Sequence, residues 1–314
     1  MHSSGDLMFT NRSGITLLFL ILIIVSTFIA TSKANVDGVV DDNATNIVEI
    51  DSLTAFVDEA AAYVTDNGRD KALREFNNRS GDFVRGELYI YAYDFNGTNL
   101  AHPIRPDLVG HDQRGLLDIN DVAMIRNELA LAKIGGGIMY LVFQNPIHED
   151  RKELKLTCIK KVDANMWLGS GTYLSNISAS FGQEERDELV AFVEKAVGFA
   201  HENGKELALQ AFNDPNGNFT RDGIYIFAYD YDGWTLAHPY QPELIGTSRI
   251  DAKDPNGIEI NQQAVNAAKF GNGLFYYIYP DPSKNMTQAL KLGYVVDVDG
   301  TWYLGSGIYA KNET

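Results

Sequence analysis

The sequence predicts an α+β fold made of two copies of one domain, each pairing an antiparallel sheet with a long amino-terminal helix. Three observations support this prediction. The chain matches itself at a single offset of 136 residues, the offset that separates Leu53 from Leu189. Each copy begins with apolar residues at helical spacing and continues with alternating, aromatic-rich stretches that are typical of strands. Turns that contain glycine join these stretches as hairpins, and hairpins pair strands antiparallel.

The internal repeat extends over about 120 residues without a gap, which is too long for a solenoid repeat and sufficient for a whole domain. Its clearest matches are residues 67–68 with 203–204, 89–94 with 225–230, 100–103 with 236–239, and 169–171 with 305–307. We therefore predict two domains, at residues 45–177 and 181–314, joined near residues 177–183.

Each domain is predicted to contain a long helix, two strands, a short helix and three strands, in that order. In the first domain the predicted segments are 46–66, 88–93, 122–133, 138–143, 154–162 and 166–174. In the second they are 184–203, 224–229, 258–269, 274–279, 290–298 and 301–310. Asn-Gly after each long helix predicts a helix end. Asn96-Gly97 and Asp232-Gly233 predict the turns into the second strands.

The charge and the cysteine count exclude several classes of protein. A net charge of −16 without any basic run argues against a nucleic-acid partner, because phosphate backbones are bound by clustered Lys and Arg. The single cysteine, Cys158, forms no internal disulfide, and the sequence shows no zinc-ligand spacing. Cys158 lies in an alternating apolar stretch, which favours a small buried hydrophobe.

An uncharged apolar run at residues 15–30 predicts export. Arg12 precedes the run, and Lys33 and then Asp37 follow it, a flanking pattern that places the amino terminus inside and the remainder outside. As a helix the run would span about 24 Å, which is short for a hydrocarbon core of ~30 Å and suits a signal peptide. Residues 1–34 are predicted to be either a cleaved signal peptide, cut after Ala34, or a retained membrane anchor.

Glycosylation sequons support the same location. Eight N-x-S/T sequons occur, whereas chance placement predicts about two. Their asparagines are Asn11, Asn43, Asn78, Asn96, Asn176, Asn218, Asn285 and Asn312. The chain is therefore predicted to be an extracytoplasmic glycoprotein, secreted or anchored by residues 15–30.

Several motifs occur in the same order in both domains. The first domain carries YAYDFNGTNLAHP, PDLVG, GGGIMY and WLGSGTY, and the second carries YIFAYDYDGWTLAHP, PELIG, GNGLFYY and WYLGSGIY. This order resembles that of Cache domains, the PAS-like extracellular sensor modules of chemotaxis receptors and sensor kinases. The resemblance covers nearly all of each domain. It implies a small-molecule pocket between the sheet and its connecting loops, with organic acids, amino acids or similar metabolites as ligands.

The sequence departs from such receptors in one respect. Receptors of this family continue through a second membrane helix into signalling domains, whereas this sequence has no second apolar span. We therefore expect a sensor without its own transmembrane output, which acts with a separate membrane signalling protein.

Aromatic side chains alternate along two matched strands, so each set lies on one face of its sheet. The sets are Tyr89, Tyr91 and Tyr93 in the first domain and Tyr225, Phe227 and Tyr229 in the second. They either fill the core or line a pocket, since small-molecule pockets are mainly aromatic and apolar. The candidate ligand contacts among the aromatic residues are Tyr91, Tyr93, Tyr140, Phe227, Tyr229 and Tyr276. The change from Tyr91 to Phe227 removes a hydroxyl, which would let the two domains discriminate ligands differently.

The candidate polar contacts are two histidines and two lysines. His102 and His238 precede prolines at strand ends, where each either bonds nearby backbone or donates a hydrogen bond to a ligand. Lys133 and Lys269 end the short helices, where each either complements the helix dipole or pairs with a ligand carboxylate.

The sequence predicts neither an enzyme nor a cofactor or metal site. Its six histidines show no HExxH or paired-metal spacing, and no G-x-S-x-G elbow or P-loop is present. Acidic residues at 230–233 and 251–259 lack the spacing of an EF-hand. The predicted ligand is a small carboxylate or amino acid. The alternative is a structural or adhesive surface protein with non-functional pockets.

Overall fold

The computed structural model of the protein describes residues 42–221 and 223–311, with side chains from residue 50 onward. The predicted signal peptide or anchor at residues 1–34, with its apolar run at 15–30, lies outside the described residues. Of the helices within the described ranges, none has the length and apolar character that a membrane crossing requires.

Both repeats follow the same order of α-helices and strands in their described parts, and the second has one additional 3₁₀-helix at Pro282–Lys284. The described part of the first repeat forms α1 (Asp42–Asn67), α2 (Arg69–Phe76), β1 (Val84–Arg85), β2 (Leu88–Tyr89), β3 (Tyr91–Tyr93), β4 (Asn99–Ala101), a 3₁₀-helix (Pro106–Leu108), α3 (Met124–Lys133), β5 (Gly136–Gln144), β6 (Lys152–Lys161) and β7 (Trp167–Tyr173). The second forms α4 (Gln183–Asn203), α5 (Lys205–Phe212), β8 (Thr220–Arg221), β9 (Ile224–Tyr225), β10 (Phe227–Asp230), β11 (Thr235–Ala237), 3₁₀-helices (Pro242–Leu244 and Pro282–Lys284), α6 (Ile260–Ala268), β12 (Asn272–Asp281), β13 (Thr287–Asp297) and β14 (Trp302–Tyr309).

Each repeat has its own five-stranded sheet. The strand order is β4-β3-β7-β6-β5 in the first repeat and β11-β10-β14-β13-β12 in the second. All neighbouring strands in these two sheets are antiparallel. Hairpins join β5 to β6 and β6 to β7, and their equivalents are joined likewise. The predicted α+β class is confirmed.

A second helix, α2 or α5, follows each long helix and is absent from the sequence prediction. Gly68 and Gly204, both at φ 79°, separate the two helices of each repeat, in a conformation that glycine adopts without steric cost. The chain then returns to a helix because Ala72 and Phe76 of α2 become buried. Asn-Gly therefore marks a break between two helices rather than the entry into a strand.

The aromatic strand predicted at residues 88–93 is divided at Ile90, since β2 pairs with β1 whereas β3 pairs with β4 and β7. The alternation continues through the break. Ile90 and Ala92 pack in the core formed with α1 and α2, and Tyr89, Tyr91 and Tyr93 pack on the opposite face with α3. This face carries the functional candidates.

The two repeats contact each other through equivalent elements, β5 with β12 and α3 with α6. Asn127 of α3 donates its side-chain amide to the Leu274 carbonyl oxygen at 2.9 Å. Gln263 of α6 donates in the same way to the Ile138 carbonyl oxygen at 3.2 Å. Both donors and both acceptors are related by the repeat offset, so the contact has the pseudo-twofold symmetry of an isologous interface.

Candidate ligand-binding sites

A small cavity lies in the first repeat between the sheet and α3. Its lining is mainly aromatic and apolar, with few polar groups. The lining residues that matter for chemistry are Tyr89, Tyr91, Tyr93, His102, Glu128 and Lys155. A concave, mainly apolar surface with a few convergent polar groups is typical of a small-molecule site.

A histidine occupies the same position in both repeats and has the same protonation state. The Nδ1 atom of His102 accepts the backbone N–H of Arg105 at 3.0 Å, so the ring carries its proton on Nε2. His238 accepts the backbone N–H of Gln241 at 3.1 Å. Burial lowers the pKa of each imidazole to about 3. Both rings are therefore neutral at pH 7, with an Nε2–H available as a donor.

Lys155 on β6 is the cation of the first cavity and is 1% exposed. Its Nζ lies 4.0 Å from the ring centroid of Tyr89 and 5.0 Å from that of Tyr173. No carboxylate among the described residues forms an ion pair with it within 4.0 Å. Burial lowers the pKa of Lys155 to about 7, against the opposing charges of Glu128 and Glu87. A bound anion would favour the charged ammonium.

Glu128 on α3 brings a carboxyl group to the same cavity and is 1% exposed. The Tyr91 hydroxyl donates to its Oε1 at 2.5 Å. Its Oε2 has no hydrogen-bond partner within the described ranges. Burial raises the pKa of Glu128 to about 7, against the lowering effects of the Tyr91 hydrogen bond and the Lys155 charge. One buried oxygen therefore remains available to a donor.

The second repeat holds a small cavity between its sheet and α6. Tyr225, Phe227, Tyr229 and His238 line it at positions equivalent to those of the first cavity, and Arg249 and Asn261 add polar groups. The predicted contacts Tyr91, Tyr93, His102, Phe227, Tyr229 and His238 are thus brought to the two cavities. This location supports their proposed role in binding.

Lys291 on β13 is the equivalent of Lys155 and is 0% exposed. Its Nζ lies 4.3 Å from the ring centroid of Tyr225 and 4.6 Å from that of Tyr309. The Nζ has no hydrogen-bond partner in the described part of the chain. Burial lowers the pKa of Lys291 to about 7, against the charge of Asp281. Three of the four tyrosines around this ammonium, Tyr225 among them, also line the cavity, whereas Tyr309 does not.

The two cavities differ in their charged groups. Ala264 stands where the first repeat has Glu128, and Phe227 stands where it has Tyr91, so the second cavity lacks both the acid and the hydroxyl that holds it. Arg249 lines the second cavity at the position equivalent to Gln113. The first cavity therefore combines a cation with an acid, whereas the second has Arg249 in its lining and Lys291 behind its tyrosines.

The predicted cations Lys133 and Lys269 are exposed and line neither cavity. The reason is helical geometry. Glu128 marks the face of α3 that points to the cavity, and Lys133 follows it by five residues, a rotation of about 140° at 3.6 residues per turn. The structure instead brings Lys155 and Lys291 to this role.

Tyr140 and Tyr276 lie on the opposite face of their strands, in the contact between the repeats. The Tyr276 hydroxyl donates to Asp118 Oδ2 and accepts from Asn120 Nδ2, both at 2.8 Å. The Tyr140 hydroxyl accepts from Asn256 Nδ2 at 2.7 Å. Neither tyrosine lines a cavity, because alternate residues of a strand face opposite sides of the sheet.

Sequence reasoning missed Lys155, Lys291 and Glu128. A signal existed for the lysines, since each lies between two leucines on an otherwise apolar strand, at equivalent positions of the repeat. A cation on the inner face of a predicted strand is a candidate ligand contact. Glu128 carried no such signal, because its equivalent is Ala264. Among the described residues, no group of three or more His, Cys, Asp or Glu side chains is arranged to hold a metal ion.

Comparison with known proteins identifies the family. The family described as Cache domain matches residues 71–314. A 93-residue segment is 38% identical to the sensor histidine kinase MctS of Rhizobium johnstonii and covers 29% of this chain and 20% of that protein. A 78-residue segment is 32% identical to the methyl-accepting chemotaxis protein CtpM of Pseudomonas aeruginosa and covers 25% of this chain and 14% of that protein.

Among solved structures, a methyl-accepting chemotaxis protein from Vibrio parahaemolyticus is similar at 27% identity and a TM-score of 0.36, over 40% of this chain and 88% of that chain. The matched segments span a fifth or less of the two curated relatives. The family match itself extends over most of the sequence. The protein belongs to the Cache domain family of ligand-binding sensor domains.

Proposed function

We propose that this protein is an extracytoplasmic sensor of small organic acids or amino-acid-like metabolites. Its two Cache modules would occupy residues 45–177 and 181–314, and each would bind ligand in its own cavity. The observation that carries the proposal is the pair of buried lysines, Lys155 and Lys291, each surrounded by aromatic rings and each without a carboxylate within ion-pair distance among the described residues.

The energetics of these lysines support a carboxylate ligand. A buried ammonium is destabilised by the loss of hydration, which is why burial lowers the pKa of both lysines to about 7. A ligand carboxylate would supply the missing counter-charge, and the Nε2–H of the nearby histidine would supply a second donor. The aromatic walls would add apolar burial. Binding would shift a population of conformations rather than start a reaction.

The location and the output are part of the same proposal. The flanking charges of residues 15–30 and the eight sequons favour an extracytoplasmic chain. The similarity to a segment of a sensor histidine kinase favours a membrane signalling protein as the partner that receives the signal. Protease added to intact cells should then digest the protein, whereas protection until lysis would contradict the location.

The ligand test is a thermal-shift screen of the full chain with small carboxylates, each paired with its neutral amide. A ligand that binds only the folded state raises its stability, so carboxylates should raise Tm and amides should not. Replacing both lysines by Met should abolish the shift. A screen in which no carboxylate stabilises the chain would contradict the proposal and favour a structural or adhesive protein.

A further inference from the structure

We propose that the two cavities bind different classes of ligand: the first a small zwitterion that carries an ammonium as well as a carboxylate, the second a small carboxylate without an ammonium. This inference rests on the proposed sensor function and narrows it. The argument depends on the polar groups that line each cavity, and above all on Glu128.

The first cavity offers opposite charges on opposite walls. Lys155 projects from β6 and Glu128 from α3, and no ion pair within 4.0 Å joins them. The two groups thus line the same cavity without forming an ion pair. A ligand with its own carboxylate and ammonium would complete both pairs, with the carboxylate at Lys155 and the ammonium at Glu128.

A ligand ammonium would favour the ionised form of Glu128, and in that form the unpaired oxygen is an acceptor that needs a donor. Oε1 accepts the Tyr91 hydroxyl at 2.5 Å, which holds the carboxyl group in place. Oε2 is buried and has no partner within the described ranges. A buried acceptor left without a partner is costly, so a site with one rejects ligands that lack the matching donor. An ammonium supplies that donor together with the opposite charge.

The second cavity lacks each of these features. Ala264 and Phe227 replace Glu128 and Tyr91, so no carboxylate of the described residues lines this cavity. Arg249 lines it, and Lys291 lies behind its tyrosines. A ligand ammonium would meet Arg249 and no carboxylate among the described lining residues, whereas a simple carboxylate would meet a favourable charge at Arg249, with Lys291 behind the tyrosines.

The test is calorimetric titration of the full chain with one cavity silenced at a time. In the Lys291→Met variant only the first cavity should bind ligand, and in the Lys155→Met variant only the second should. The probes are L-alanine, L-lactate and propionate, which differ only in the group on the second carbon, followed by glycine and acetate. The first cavity should bind L-alanine at least tenfold more tightly than propionate, and the second should show the reverse order.

Substitutions at the acid provide the matched controls. Glu128→Gln, made with Lys291→Met, should abolish the preference for L-alanine and leave propionate binding equal or stronger. Phe227→Tyr with Ala264→Glu, made with Lys155→Met, should transfer the preference to the second cavity. The transferred preference for L-alanine can be measured whether or not the Glu128→Gln variant folds.

The outcomes separate this inference from the proposed function. If none of the probes and no other carboxylate binds either cavity, the sensor proposal and this inference both fail. If carboxylates bind but both cavities rank the probes alike, or Glu128→Gln keeps the preference for L-alanine, only the division of ligands fails. Tighter binding of L-lactate than L-alanine in the first cavity would also overturn it, because a hydroxyl would then be the preferred donor.

Discussion

The two repeats share a scaffold and differ inside their cavities. The ring centroids of Phe76 and Phe83 lie 4.9 Å apart with planes at 89°, and those of Phe212 and Phe219 show the same values. Beside this constant packing, Glu128 in one cavity is replaced by alanine in the other. Close-packed cores tolerate little change in shape, whereas a cavity wall exchanges side chains without disturbing the core. The side chains of the two repeats therefore differ where packing leaves room.

The contact between the repeats shows a subtler difference. Asp118 Oδ2 accepts both the Tyr276 hydroxyl and the Val142 backbone N–H. On the symmetry-related side, Asp254 Oδ2 accepts the Ile278 backbone N–H, and the Tyr140 hydroxyl lies close to Asp254 but, among the described residues, forms a regular hydrogen bond only with the neighbouring Asn256. Burial raises the pKa of both aspartates. The interface is thus symmetric in its residues and unequal in its hydrogen bonds.

The largest expected effect tests the shared scaffold. Phe76→Ala and Phe212→Ala each remove a fully buried ring, which should lower the free energy of unfolding by about 3–5 kcal/mol. Because the two phenyl pairs have the same geometry, the losses should agree within about 1 kcal/mol. Urea unfolding of the two variants measures both values. A much larger loss in one repeat would show that the scaffolds are not equivalent.

The next effect concerns Lys291 and pH. Burial lowers the pKa of Lys291 from 10.5 to about 7, so between these values the unfolded state binds more protons and stability rises with pH. Lys291→Met lacks this dependence. It should be more stable than wild type by about 3 kcal/mol near pH 7, with the gain shrinking toward pH 9.5.

The matched variant for the lysine prediction is Lys155→Met. Its gain at pH 7 should be smaller, because it leaves Glu128 without the nearby positive charge. Denaturant titrations at several pH values distinguish the two variants. Equal gains in the free energy of unfolding would contradict the expected effect of Glu128 beside Lys155. A gain from Lys291→Met that does not change with pH would contradict the lowered pKa of Lys291.

A smaller effect tests the asymmetric interface. Tyr276→Phe removes two buried hydrogen bonds and leaves Asp118 with fewer donors, so it should cost about 2 kcal/mol. Tyr140→Phe removes one bond to Asn256 and should cost about 1 kcal/mol. Thermal unfolding of both variants gives the comparison. A larger stability loss from Tyr140→Phe than from Tyr276→Phe would contradict the described difference between the two sides of the interface.

The smallest effect concerns the exposed lysines. Lys133→Ala and Lys269→Ala should each change stability by no more than about 0.5 kcal/mol, because both side chains are exposed. Carboxylate binding should be unchanged in both variants, since neither lysine lines a cavity. Titration calorimetry provides the check. Selective loss of carboxylate affinity in either variant would show that the replaced lysine contacts the ligand.

Much of the fold was predictable because the relevant patterns are local. The helical stripe 184–203 and the alternating stretch 290–298 correspond closely to α4 and β13, since side-chain periodicity depends only on neighbouring residues. Helices α2 and α5 were not predicted, because a glycine signal that ends one helix does not reveal whether the chain enters another. Tertiary burial of Phe76 and its equivalent decides that question.

The amino-acid sequence alone was enough to predict the repeat, the α+β class and the aromatic faces that form cavity walls. Which charged groups meet at those walls depends on how distant elements pack in three dimensions. Lys133 and Lys155 are both lysines near apolar residues, yet the turn of α3 exposes one and the pleat of β6 buries the other. Likewise, Tyr140 faces the other repeat rather than its own cavity. Local patterns specify the face on which a residue lies, whereas the packing of distant elements determines what covers that face.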